Sequence, residues 1–162
     1  MGYKFQGLEV YKLALNYVDK IYGLSRELPV SERFNLQSQL ERAATSIVLN
    51  IAEGSTGQSD AEQGRFLGLA LRSYLETVAC FDIIERRAYS ANDALTEIRA
   101  VGHDLFIRLQ AFRKSLGRRQ DAKDKAPRDP RSPVTDPRSP ALSPRSPVTS
   151  LVTKEIHERH SY

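Results

Sequence analysis

Apolar residues recur at steps of three and four along most of the chain up to Leu116. The clearest run is Arg33–Gly54, where Leu36, Leu40, Ala43, Ile47 and Ile51 fall on one face of an α-helix. Ala44 and Val48 widen that face into a core-facing stripe. Gly54 after the last apolar turn suits a left-handed helix cap. Pro29 and Ser31 stand upstream as breaker and N-cap. A further helix is predicted from Leu8 to Leu28, and it carries two stripes. Leu8, Tyr11, Leu15, Val18 and Tyr22 make a bundle seam, and Val10, Leu13, Tyr17 and Leu24 lie on a different face. A helix apolar on two faces is deeply buried or shared between subunits. In so small a bundle the second stripe is expected at a subunit interface.

Ser59-Asp60-Ala61-Glu62 has the form of a capping box and opens a third predicted helix, from Asp60 to about Arg87. Its apolar set is Phe66, Leu67, Ala70, Tyr74, Thr77, Phe81 and Ile84. After a turn at Tyr89–Asn92, Leu95, Ile98, Gly102, Leu105, Leu109, Phe112 and Leu116 define a fourth helix that Gly117 is expected to close. Phe106 and Ile107 lie off that seam and join the interface candidates. Four amphipathic helices joined by short turns predict an all-α, antiparallel up-down-up-down four-helix bundle over residues 1–119.

The grammar changes at Gln120. Seven of the eight prolines fall between positions 127 and 147, six of them within three seven-residue repeats, DPRSPVT, DPRSPAL and SPRSPVT. Such a Pro/Ser/Arg-rich segment lacks the apolar residues for a core, and 120–162 is expected to be a disordered, low-complexity tail. Ser132, Ser139, Ser143 and Ser146 each precede proline, the pattern of proline-directed phosphorylation, although a drifting low-complexity extension is the favoured reading.

Charge changes this picture little. The net +4 divides evenly, with 16 Lys/Arg against 14 Asp/Glu over residues 1–120. A single cysteine, Cys80, excludes an intrachain disulfide and fits a reducing, cytoplasmic setting. No long apolar run spans a membrane, and the N-terminus lacks a signal-peptide pattern. The three histidines offer no metal set, and no nucleotide or catalytic-triad motif appears, so neither cofactor nor metal is expected. Gly54-Ser55-Thr56-Gly57 lacks the strand and lysine of a phosphate loop and reads as a turn.

Two groups of residues stand out as candidate chemistry. Arg113, Lys114, Arg118 and Arg119 form a basic cluster at the end of the fourth helix, with Arg86 and Arg87 a weaker pair at the other end of the bundle. They suit phosphate contacts, or equally the negative end of a helix dipole. Arg42, Ser46, Asn50, Glu53, Arg65, Ser73 and Glu76 form a polar set between apolar neighbours on the second and third helices. Hydrogen bonding that fixes helix register is the favoured reading, with a ligand groove the alternative.

The run P-x-x-E-R-x-x-L-x-x-Q-x-x-R-A-A-x-S-I-x-x-N-I-A-E-G, from Pro29 to Gly54, resembles the bacterial four-helix-bundle family encoded in intervening sequences of 23S ribosomal RNA genes. Phe5, Leu8 and Val10, then Arg65, Phe66, Leu67, Ala70, Ser73 and Glu76, extend the resemblance to about residues 3–117. It implies a cyclic homo-oligomer, a pentamer being the common form. Distantly similar accessory proteins of diversity-generating retroelements bind nucleic acid and a reverse transcriptase. The expectation is therefore a non-enzymatic, homo-oligomeric binding or scaffold protein that holds structured RNA or DNA by its basic ends. The alternatives are a protein-interaction scaffold, for instance for a reverse transcriptase, and an enzyme using Glu53, Arg65 and Glu76. Glutamate at Val10 or Tyr17 is expected to dissociate the oligomer while leaving its helices intact.

Overall fold

The periodicities of the third and fourth helices set the frame of the computed structural model, which describes residues 2–57, 59–90 and 92–125. Helix α1 spans Glu9–Ser25, α2 Ser38–Gly54, α3 Asp60–Arg86 and α4 Asn92–Lys125. There is no strand among the described residues. The predicted proline repeats and their phosphorylation sites lie outside the described residues. Each helix packs against the next in opposite order along the chain. Ser25 and Tyr22 of α1 reach Glu41 and Thr45 of α2. Ser46 of α2 meets Ser73 of α3 while Gly54 meets Phe66. Asp82 and Asp60 of α3 meet Arg99 and Lys123 of α4. Lys20 of α1 pairs with Glu97 of α4 and closes the ring. The chain is an all-α bundle of antiparallel helices.

The centre of the bundle is polar. Tyr17 of α1 is fully buried, and its hydroxyl lies 2.7 Å from Thr77 Oγ1 of α3, on the diagonally opposite helix. Thr77 donates its only hydroxyl hydrogen to the Tyr74 carbonyl at 2.7 Å, so Tyr17 is the donor to Thr77. Burial pushes the Tyr17 phenol well above its ordinary range. Room for the ring comes from Gly102 of α4. A Cβ there would sit 2.7 Å from Tyr17 Cε2 and 2.9 Å from Tyr74 Cε2.

This arrangement corrects the reading of α1. The buried stripe is Val10, Ala14, Tyr17, Ile21 and Leu24, whereas Leu15 of the expected seam is 41% exposed. Val10, Tyr17 and Leu24 therefore fill this chain's own core and present nothing to a second copy. Leu13 and Phe106 pack partly buried against that core, and Ile107 stays half exposed. Both stripes satisfy helical spacing; the buried one is the stripe whose Tyr17 finds a hydroxyl partner in Thr77 and room at Gly102. Glutamate at Val10 or Tyr17 is now expected to unfold the bundle.

Helix ends also depart from expectation. Gly54 closes α2 in helical geometry and not as a left-handed cap; its missing Cβ would lie 2.8 Å from Phe66 Cβ. Close approach of α3 is the reason for glycine there. Ser31 sits inside a 3-10 turn, Val30–Glu32, that runs through a π-helical turn, Arg33–Gln37, into α2. Ser59 does cap α3, its Oγ accepting from the Glu62 N–H at 3.2 Å. Gly117 ends nothing. Helix α4 continues to Lys125, and Lys123 pairs with Asp60 at 2.6 Å.

Helix α3 ends in a Schellman motif. Tyr89 N–H donates to the Ile84 carbonyl and Ala88 N–H to that of Glu85, both at 3.0 Å. The left-handed position falls on Ala88, with φ of 52°, where glycine is the residue without a Cβ penalty. Ala88→Gly is expected to stabilise the protein by about 0.5–1 kcal/mol. Gly102→Ala should destabilise it by about 1–3 kcal/mol through overpacking against Tyr17. Gly23→Ala, where an added Cβ meets nothing within 4 Å, should instead stabilise by up to about 1 kcal/mol. Urea unfolding of the three variants checks all three signs.

Candidate nucleic-acid interface

The charge that looks diffuse along the sequence is segregated in space. From Leu105 to Gln120, α4 carries Arg108, Arg113, Lys114, Arg118 and Arg119 and no carboxylate. The antiparallel stretch of α3 from Gln63 to Leu75 carries Arg65 and Arg72 and again no carboxylate. The Tyr74 and Phe106 rings stack across the seam at 5.1 Å and set the register. Two turns further along α4, the Arg113 guanidinium lies across α3. Its Cζ would be 3.5 Å from a Cβ on Gly68. Glycine there leaves the guanidinium flat against the α3 backbone.

The result is an open groove between α3 and α4, made of two adjoining hollows of about 590 and 650 Å³ that share Leu71, Gln110 and Arg113. Arg65, Arg72 and Lys114 complete its cationic lining. The acids at its margins are engaged. Asp104 holds Arg108 at 2.9 Å, Asp60 holds Lys123, and Glu62 meets Arg65 at 3.2 Å. The Arg65 guanidinium also lies 4.4 Å from the centre of the Phe66 ring. Leu75 and Ile107, 54% and 51% exposed, put apolar surface beside these cations. Arg118 and Arg119 continue along exposed α4.

Of the residues singled out in the sequence, Arg113 and Lys114 enter this groove together with Arg65, which the polar set had claimed. Arg72 and Gly68 escaped the sequence reading. Their signal was the lack of carboxylates on two stretches 30 and more residues apart, which acquires meaning only once α3 and α4 are in register. Arg86 and Arg87 border a separate hollow with Ile83 at the opposite end. There Tyr89 O–H donates to Glu32 and ties the two connections together.

The polar set divides. Ser73 Oγ donates to Ser46 Oγ at 3.0 Å, and Asn50 Nδ2 donates to the Ser46 carbonyl and hydroxyl at 2.7 and 3.1 Å. Of these half-buried bonds, Ser73–Ser46 crosses between α3 and α2, and the Asn50 pair orients Ser46 from within α2. Arg42 donates to Gln39, and Gln39 donates to Glu76 at 3.3 Å, on the exposed side of the same seam. Glu53 is exposed. Arg65 lines the other groove and stands about 16 Å from Glu76 along the helix axis. Arg65 and Glu76 therefore do not converge on one site. In the 54–57 loop, Ser55 and Thr56 hydroxyls donate back to the Ile51 and Glu53 carbonyls at 2.8 Å and face no ligand. Cys80 is buried, and desolvation, with Glu76 nearby, pushes its thiol up. Among the described residues no three His, Cys, Asp or Glu side chains group to hold a metal ion, and no helix is long and apolar enough to cross a membrane.

Fold and groove together define a small all-α bundle protein whose one concentrated chemical feature is cationic. The model of the 23S rRNA-intervening sequence protein family matches residues 6–105, and the chain belongs to that family. It is similar to a crystallised protein of unknown function from the S23 ribosomal protein family of Bacteroides thetaiotaomicron. The identity is 27% and the TM-score 0.60, over 65% of this chain and 98% of that one. No curated protein matches the chain. The family match ends before Arg113, so half of the groove's cations lie beyond it. Replacing Gly68 by Glu should raise helix stability by a few tenths to about 1 kcal/mol, while the new carboxylate pairs with Arg113. A higher urea midpoint, with the Arg113 Nε–H resonance shifted by a new partner, is the expected outcome.

Proposed function

We propose that this chain is a non-enzymatic binding module that grips structured RNA or DNA by its phosphates in the α3–α4 groove. The observation that carries the reading is the segregation of seven cations, without one carboxylate, on the two facing stretches 63–75 and 105–120. A net excess of two over residues 1–120 is small; four of the cations, Arg65, Arg72, Arg113 and Lys114, line the groove together and make a local field. Arginine and lysine bound to phosphates release condensed counterions, and that release gives affinity without base reading. In a homo-oligomer, the assembly proposed from the family resemblance, the groove recurs once per subunit and weak sites combine. The same assembly extends the reading to a nucleoprotein complex with a partner such as a reverse transcriptase.

Leu75 and Ile107 in the groove support a second reading, a scaffold that holds a protein partner by an apolar contact. Salt separates the two. Titration with an RNA hairpin and with duplex DNA between about 50 and 200 mM salt should show affinity falling by orders of magnitude. Changing Arg72, Arg113 and Lys114 to Gln should weaken every probe alike and flatten the log–log salt slope by roughly one per residue. Arg86→Gln with Arg87→Gln should leave the slope unchanged. Salt-insensitive capture of a protein, with no nucleic acid bound at low salt, would favour the scaffold.

A further inference from the structure

We infer that the α3–α4 groove takes a nucleic-acid strand that carries an unpaired base, as in a bulge, loop or junction, in preference to an uninterrupted duplex. This rests on the phosphate-binding reading and adds what the groove selects.

The observation is the interleaving of two chemistries, cationic and apolar, along both walls of the groove. On α3, Arg72 and Leu75 are one turn apart; on α4, Ile107, Gln110, Arg113 and Lys114 follow at helical spacing. All six line the same pair of hollows. Leu75 and Ile107 are about half exposed, and between them the Phe106 ring is braced from behind by Tyr74 at 5.1 Å. The apolar floor is thus rigid and lies within the cationic rim.

A continuous duplex would present this groove with phosphates and sugars alone. Leu75, Phe106 and Ile107 would then face charged oxygens and make no favourable contact. An unpaired base has two flat faces of low polarity and hydrogen-bonding edges, and single-stranded elements are read by pairing exactly such surfaces. Against Leu75 and Ile107 one face of the base is covered. The Gln110 amide, donor and acceptor at once, is placed for its edge. Arg72 and Arg113 take the phosphates on either side. The Arg113 guanidinium, backed by Gly68, presents an open planar face that serves a phosphate or a second base. A helical peptide fits less well, because helix-in-groove binding uses a row of apolar anchors at i, i+3 or i+4, and i+7. Here the half-exposed apolar surface amounts to Leu75 and Ile107.

The test is an anisotropy titration of the full chain with two RNA hairpins of equal length and charge, one perfectly paired and one with a single-base bulge, and with their DNA counterparts. The bulged probe should bind about tenfold more tightly than the paired one, with the same salt slope. Leu75→Ser with Ile107→Ser, on exposed positions, should erase that preference, so that bulged and paired probes bind alike while both keep a steep salt slope. Circular dichroism would report that the bundle is intact. A 2-aminopurine placed in the bulge should change its fluorescence on binding to the unaltered chain and not to the double variant. Equal affinity for paired and bulged probes, with a steep salt slope, overturns the inference and leaves phosphate binding standing. Absence of salt-dependent binding to all probes overturns both. An acidic amphipathic peptide that displaces the bulged hairpin from Leu75 and Ile107, and itself binds more tightly, overturns the inference in favour of a protein ligand.

Discussion

A tyrosine hydroxyl in the middle of a four-helix bundle must be paired, and most of this structure follows from how that is done. Tyr17 donates to Thr77, which donates to the Tyr74 carbonyl, so a chain of two hydrogen bonds crosses the core from α1 to α3. A buried phenol left without partners would cost on the order of 1–3 kcal/mol. Helices α1 and α3 are thereby held in one relative position. The ring then needs space, and Gly102 supplies it on α4. Once Gly102 is opposite Tyr17, Phe106 one turn later meets Tyr74, and Arg113 two turns beyond meets Gly68. The surface groove inherits its register from the core.

Two glycines show how closely the helices approach and why the sequence was only partly legible. Gly54 admits Phe66, and Gly102 admits Tyr17. Spacing alone assigned Gly54 to a cap and counted Gly102 as one more position of the fourth helix's seam, because a glycine's function depends on a neighbour distant in the chain. Where the apolar rhythm has one phase, as in α3 and α4, the helices and their buried faces read correctly. In α1 two rhythms coexist, and the aromatic-rich one that looked like an interface is the core. Gly117 illustrates the converse. A single exposed glycine costs a helix about 1 kcal/mol, too little to end α4 when the Lys123–Asp60 pair fastens the turns beyond it.

The candidate site was legible in halves. Arg113 and Lys114 were visible as a cluster because they are adjacent on one helix. Arg65 was visible for another reason, its place in the family pattern, and was grouped with Glu76, from which the structure separates it. Arg72 stood alone in the sequence. What joins them is the absence of carboxylates across two facing helices, a property of the pair and not of either. Ser46, Asn50 and Ser73 spend their hydrogen bonds on one another and on the α2 backbone, which lets two helices approach without burying unpaired groups.

The chemistry of the groove bears on what it does with a ligand. Its polar lining is Arg65, Arg72, Gln110, Arg113 and Lys114. Guanidinium and ammonium groups donate hydrogen bonds and accept none, and the glutamine amide does both, so these side chains hold and orient an anionic group. Such a lining acts by fixed electrostatics and hydrogen bonding, which is the chemistry of retention. Electrostatics alone would not discriminate, because every nucleic acid carries the same phosphate. Specificity is a difference between affinities, and in this groove only Leu75, Phe106, Ile107 and Gln110 can supply one. On the proposed reading, the apolar surface beside the cations is therefore where identity, as distinct from attachment, would be decided.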